Sequence, residues 1–211
     1  MKVIITYLII VFSAFGCYSQ GESKNDNLNS VQNNYEPIRD GLCKDNKGNV
    51  YFKALDASNR NKLVDRFIYV VYSNEFGVDG IKEMKDVVDS ESFKSMGSYY
   101  YQDKNHIYYF HVMSDGGTMS IIDEANHKTF KVFKHSMYGV DSQSAFYRGA
   151  KIAGVDISTF EPIIIESEGQ KIGWHAKDKN SYYNGYNVMS ETEISELKEE
   201  IKQLTTKPKL H

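Results

Sequence analysis

The sequence predicts a mainly β protein: stacked short antiparallel β-hairpin repeats of about 37 residues with a C-terminal amphipathic capping helix, α+β overall. Three observations predict it. The 211 residues contain 16 Tyr and 11 Phe but 3 Pro, an excess of rings suited to half-buried strands. An Asp-anchored turn recurs at Asp103, Asp141 and Asp178, at spacings of 38 and 37 residues. The last periodic apolar stretch, Ile194, Leu197, Ile201 and Leu204, has helical spacing. The formal charge of -3 disfavours a nucleic-acid-binding surface.

The N-terminus reads as an export signal. Lys2 precedes the uncharged run 3–15, which is long enough for a signal-peptide core and short of the roughly 20 residues that span a bilayer. Residues 1–19 are therefore assigned to a signal peptide, and 20–38, rich in Asn, Ser and Gly, to a flexible polar tether. Two cleavage sites stay open. Ala14-Phe15-Gly16-Cys17 resembles a bacterial lipobox, with Ala14 where Leu is typical, and makes Cys17 the lipidation candidate; Ser19 precedes an ordinary cleavage site. The expected location is the periplasm, or the outer membrane as an anchored lipoprotein, of a bacterium. Membrane contact is expected only through that anchor. Removing 1–19 deletes one lysine and no acid, leaving a charge of -4. Either cleavage leaves Cys43 without a disulfide partner, so a small buried thiol is expected there.

Residues 39–211 form one repeat domain. Its first recurring element is Asp103-Lys104-Asn105, echoed by Asp141-Ser142-Gln143 and Asp178-Lys179-Asn180, with a fainter copy from Lys44 to Phe52. An Asp side chain can accept from N–H groups two residues on, so these aspartates read as structural turn acids. Aromatic pairs follow: Tyr108-Tyr109, Phe146-Tyr147 and Tyr182-Tyr183. Asn184-Gly185 reads as a type I′ hairpin turn, and Arg148-Gly149 as a weaker version of it. The second element, Asp/Asn-x-x-Ser/Thr-Phe, reads as a capped turn delivering Phe93, Phe130 and Phe160 to the core. Returning strands are expected at 131–133 and 161–165, a strand at 67–72 and a short helix at 78–88. The longer spacing from Asp103 to Phe130 is assigned to an insertion at 111–120, with Ser114-Asp115-Gly116-Gly117 as a loop. Ser190 and Glu193 form a capping-box pattern opening a helix over 191–204, ended by Pro208.

These repeats resemble the signature of the DKNYY family of bacterial proteins, well from Met96 to Val188 and less surely back to Cys43; the middle copy departs at Ser142 and Gln143. The resemblance implies an exported or lipid-anchored repeat protein of unsettled function and supplies no catalytic residues. The residues themselves show no His-x-x-x-His, Cys-x-x-Cys or Gly-x-Ser-x-Gly pattern, and the turns hold one carboxylate each, too few for a calcium cage. No enzyme, cofactor or metal is therefore expected. The expected role is a protein-interaction module of the envelope. An immunity protein neutralising a secreted toxin, or a glycan- or cell-wall-binding module using tyrosine faces, is the alternative.

Overall fold

A computed structural model describes residues 35–53, 67–69, 80–113, 116–167 and 169–206. The signal segment, Cys17 and most of the tether lie outside the described residues. The end of the predicted tether is a strand: β1 (Glu36–Arg39) pairs antiparallel with β2 (Leu42–Lys44), which pairs with β3 (Val50–Phe52). The β1–β2 connection is Asp40-Gly41, both at positive φ, as a two-residue I′ turn requires.

Next come β4 (Phe67–Tyr69), β5 (Ile81–Glu83) and the single-turn α1 (Met84–Val87). The helix expected over 78–88 is confined to that turn. Residues 81–83 pair with β4 instead, and Glu83 makes no side-chain cap. The strand expected at 67–72 is described only to Tyr69.

The second unit is a meander of β6 (Lys94–Gly97), β7 (Tyr100–Gln102), β8 (Ile107–Met113) and β9 (Gly116–Ile121), to whose last strand β4 adds in parallel. The predicted loop is thus corrected at Gly116 and Gly117, while Ser114 and Asp115 lie outside the described residues. The additional residues extend β8 and β9 into a long hairpin, with Gly116 and Gly117 inside β9. Gly117 is required there, since a Cβ would lie 2.2 Å from the His111 carbonyl oxygen.

The third unit repeats the meander as β10 (Lys131–Val132), β11 (Tyr138–Val140), β12 (Ala145–Tyr147) and β13 (Ala150–Lys151). The fourth comprises β14 (Glu161–Ser167), β15 (Gln170–Lys177), β16 (Tyr182–Asn184) and β17 (Asn187–Val188). In units two to four the Asp/Asn-capped turn comes first and the Asp-anchored turn joins the second strand to the third. The unit is therefore a four-stranded meander rather than a hairpin followed by a turn and a lone strand. The turn signals also exchange. Arg148 and Gly149 both have positive φ, the I′ pattern, whereas Asn184 is the last residue of its strand and only Gly185 of the loop Gly185-Tyr186 has positive φ, as in a II′ turn.

The apolar cores lie between consecutive units. Leu42, Val50 and Phe52 of the first unit join Phe93, Tyr108, Phe110 and Met119 of the second; Tyr100, Ile107 and Tyr109 join Phe130 and Phe146 of the third; Tyr138 and Ala145 join Phe160, Ala176 and Tyr183 of the fourth. No unit buries its apolar face alone, which is the physical requirement for stacking. Cys43 is buried in β2. The chain then enters α2 (Glu191–Thr206), opened by the predicted capping box: Ser190 N donates to Glu193 Oε2 at 2.7 Å and Glu193 N to Ser190 Oγ at 3.4 Å. Leu197 is its buried anchor, and α2 packs against β14 at the end of the stack.

Candidate functional site: the aspartate-centred turns

The residues singled out by the repeats converge on one polar device used three times. Asp103, Asp141 and Asp178 are buried. Each directs one carboxylate oxygen at its own turn: Asp103 Oδ1 accepts from Asn105 N and His106 N, both at 2.7 Å. Asp141 Oδ1 accepts from Gln143 N and Ser144 N, and Asp178 Oδ1 from Asn180 N and Ser181 N, at 2.7–2.8 Å. The other oxygen reaches the capped turn that opens the same unit. Asp103 Oδ2 accepts from Asp89 N at 2.8 Å, Asp141 Oδ2 from Asn126 N at 2.8 Å, and Asp178 Oδ2 from Asp156 N at 2.7 Å. A buried carboxylate without donors would be strongly unfavourable, and here each joins the two turns of its unit.

The following positions complete the joint. The first backbone N–H after the aspartate donates to the hydroxyl of the opposite turn: Lys104 N to Ser92 Oγ (2.9 Å), Ser142 N to Thr129 Oγ1 (3.2 Å) and Lys179 N to Thr159 Oγ1 (3.0 Å). The lysines then pair with the acid that opens that turn, Lys104 with Asp89 at 2.5 Å and Lys179 with Asp156 at 2.6 Å. The hydrogen bond and charge of Lys104 hold the Asp89 carboxyl down to about 2. In the middle unit both members of this pair are changed together, to Asn126 and Ser142.

The ring five residues after each aspartate belongs to the joint, the first of its pair at Tyr108 and Phe146 and the second at Tyr183. Tyr108 OH donates to Asp103 Oδ2 at 2.6 Å and Tyr183 OH to Asp178 Oδ2 at 2.9 Å, while Phe146 fills the equivalent place without a donor. Burial and the bond to Asp178 push the Tyr183 hydroxyl up to about 12. In the second and third units the ring one position later supports the next unit: Gly149 sits on Tyr109 and Gly185 on Tyr147, where an added Cβ would lie 2.9 and 3.0 Å from ring-bearing side chains. Tyr182 differs, being half-buried beneath Lys198 of α2, whose Nζ is 5.4 Å from the ring centre. Phe93, Phe130 and Phe160 are all buried, as their spacing predicts.

A third aromatic position was missed by the motif reading. Tyr100 and Tyr138 lie three residues before Asp103 and Asp141. Tyr100 OH donates to Met137 O (3.1 Å) and accepts from Gly149 N (3.2 Å); Tyr138 OH reaches Trp174 O (2.9 Å) and Gly185 O (3.1 Å). These hydroxyls link neighbouring units. The equivalent residue of the last unit is His175, which burial holds below its ordinary value and which lies near Glu200 of α2. The helix thus occupies the place of a further unit.

The fainter first copy has the same chemistry. Asp45 accepts from Lys47 N, Asn49 N and Asn49 Nδ2, and from Tyr51 OH, across a turn one residue longer. Among the described residues no cluster of three or more His, Cys, Asp and Glu is placed to hold a metal ion. Among them also, no helix is long and apolar enough to cross a membrane. The arrangement is that of a scaffold: its recurrent acids accept hydrogen bonds from the fold itself.

Chains built this way form a class of stacked β-meander repeats joined by buried aspartates. Residues 114–202, a span that includes β9 and reaches into α2, match the model of the DKNYY family. No curated protein and no solved structure matches.

Proposed function

We propose that this DKNYY-family chain is a non-enzymatic, exported bacterial envelope protein that acts as a protein-interaction module. The observation carrying the reading is the saturation of the repeated carboxylates. Asp103 and Asp178 each accept four hydrogen bonds from within the fold, leaving the signature residues engaged in architecture. The N-terminal apolar run at 3–15 supports export, with lipidation at Cys17 as its anchored form. Contact with a partner is supported by apolar side chains left at the fourth unit, where Ile164, Trp174, Tyr186 and Val188 are exposed. Neutralisation of a secreted toxin is a special case of this role. The exposed Trp174 ring favours a glycan as the second reading, because aromatic faces stack on sugars.

The test is site-specific photo-crosslinking in intact cells from Trp174 and Tyr186, together with mass measurement of the mature N-terminus. The reading expects a discrete protein adduct from those two positions and none from Glu196 on α2, on a chain lacking residues before Cys17 or before Gln20. An unprocessed chain contradicts export, and adducts only with polysaccharide replace the protein partner with a glycan.

A further inference from the structure

The repeat register continues past the last strand. In the second unit, Ile122 N donates to Ile107 O at 2.8 Å, and eight residues further on Phe130 enters the core that those two residues share with it. In the third unit, Ile152 N donates to Ala145 O at 2.9 Å, and eight residues further on Phe160 does the same. The incoming ring also lies against the tyrosine three residues before the aspartate, with centres 5.4 Å apart for Tyr100 and Phe130 and 5.6 Å for Tyr138 and Phe160. In the fourth unit, Met189 N donates to Tyr182 O at 2.8 Å, and eight residues further on stands Leu197 of α2. Leu197 is buried like the two phenylalanines, so the helix brings an aliphatic side chain to the register at which the fold otherwise brings a ring.

That exchange leaves the terminal junction only partly filled. Ile107 and Ala145 are 0% exposed, whereas Tyr182, at their place in the unit, is half-buried. A groove of about 480 Å³ opens there, between Tyr182, Val188 and Met189 of the fourth unit and Ile194, Ser195 and Lys198 of α2. Sites for small ligands commonly measure about 300–1,000 Å³, so a ring and its neighbouring atoms can enter. The Tyr182 ring and the Met189 thioether are surfaces on which another aromatic ring packs well. Lys198 is exposed and reaches over the Tyr182 ring, with Nζ 5.4 Å from its centre; a ring entering the groove offers that ammonium a second aromatic face. The groove thus continues the interface by which the second and third units receive their successors, at the junction where α2 follows in place of another unit.

We infer that this groove is a docking site for an aromatic side chain of a partner polypeptide, seated against Tyr182 and Met189 as Phe130 and Phe160 are seated by the units before them. The occupant follows from the repeat itself, which twice answers the same pair of positions with a phenylalanine borne on a capped turn. The matching partner presents a phenylalanine on such a turn. Of the exposed apolar residues of the fourth unit the site uses only Val188, so it stands whether or not Trp174 and Tyr186 contact a protein.

The test is nuclear magnetic resonance titration of the full chain, read at the Met189 and Ile194 methyl groups and at the Trp174 indole. The probe is the acetylated and amidated peptide Asp-Ile-Ser-Thr-Phe-Glu, the sequence of residues 156–161, beside the same peptide with alanine for phenylalanine. Saturable shifts are expected at Met189 and Ile194 with the phenylalanine peptide, and none at Trp174. The alanine peptide is expected to bind at least about tenfold more weakly, the worth of burying a phenylalanine side chain. Ser195→Trp, which fills the groove from an exposed position, should abolish the shifts. Trp174→Ala, which removes the ring invoked for the other surface, should leave them unchanged, so the two sites fail separately. No saturable shift, equal shifts with the alanine peptide, shifts from N-acetylglucosamine instead of the peptide, or unchanged binding in Ser195→Trp would overturn the assignment. If Ser195→Trp fails to fold, Val188→Lys on the opposite wall decides it by the same loss.

Discussion

Replacing Asp103 tests the claim that the repeated aspartate is the structural joint of each unit. The side chain is fully buried and accepts from Asp89 N, Asn105 N, His106 N and Tyr108 OH at 2.6–2.8 Å. Asp103→Ala leaves four donors without an acceptor; at about 1 kcal/mol each, the low end of the cost of an unsatisfied donor since the adjacent turn is open to water, the loss is about 4 kcal/mol. That is a large fraction of the roughly 5–15 kcal/mol that holds a domain folded. Asp103→Asn keeps one acceptor oxygen for the turn but turns an NH2 toward Asp89 N–H, so about 2 kcal/mol is expected. Tyr108→Phe removes one donor and reproduces the natural Phe146 arrangement, with an expected loss of about 1 kcal/mol. Urea unfolding followed by far-ultraviolet circular dichroism measures all three, and the slopes should match the wild type. An Asp103→Ala chain no less stable than Tyr108→Phe would refute the reasoning.

Further outcomes follow from the same geometry. Phe93→Ala removes a ring that is 0% exposed and should cost about 3–5 kcal/mol in the same unfolding measurement. Acidification should weaken the fold in two stages. His111 and His175 have folded values below the ordinary 6.5, so the stability they confer is complete above pH 6.5 and is lost as pH falls, for His111 down to about 4. Asp89 and Asp178 lie below the ordinary 3.8, so their contribution is present above that value and disappears only below it, for Asp89 toward pH 2. His111→Gln should flatten the loss between pH 6.5 and 4 and leave the lower stage unchanged, read from unfolding midpoints across pH. The double change Asn126→Asp with Ser142→Lys should rebuild in the middle unit the ion pair of its neighbours and raise the urea midpoint, with the gain shrinking in high salt; an unchanged midpoint at low salt removes the pair from the account.

The elements legible in the sequence are those set by local chemistry. Asp followed by turn residues, a Phe after a capped turn, and Ser190 with Glu193 each act within a few residues, and all fold as their spacing implies. What escaped depends on distant pairing. Lys104 reads as part of a turn until Asp89 is seen beside it, although the joint loss of acid and lysine at Asn126 and Ser142 was a visible signal. Tyr100 and Tyr138 carry no local turn signature, because their partners are carbonyl groups of the next unit 37 and 36 residues away. The long β8–β9 hairpin was hidden by Gly116 and Gly117, which read as loop chemistry but occupy a strand where backbone approaches too closely for a Cβ.

The central claim is that the repeated aromatic and aspartate residues hold successive units as one stack. Native-state hydrogen exchange on the wild type and Tyr138→Phe tests it most directly, since that hydroxyl reaches both Trp174 O and Gly185 O across the third and fourth units. The account predicts faster exchange at the amides of β14–β17 and α2, with β6–β9 keeping their protection. Unchanged exchange throughout, or an equal loss in every unit, would contradict it.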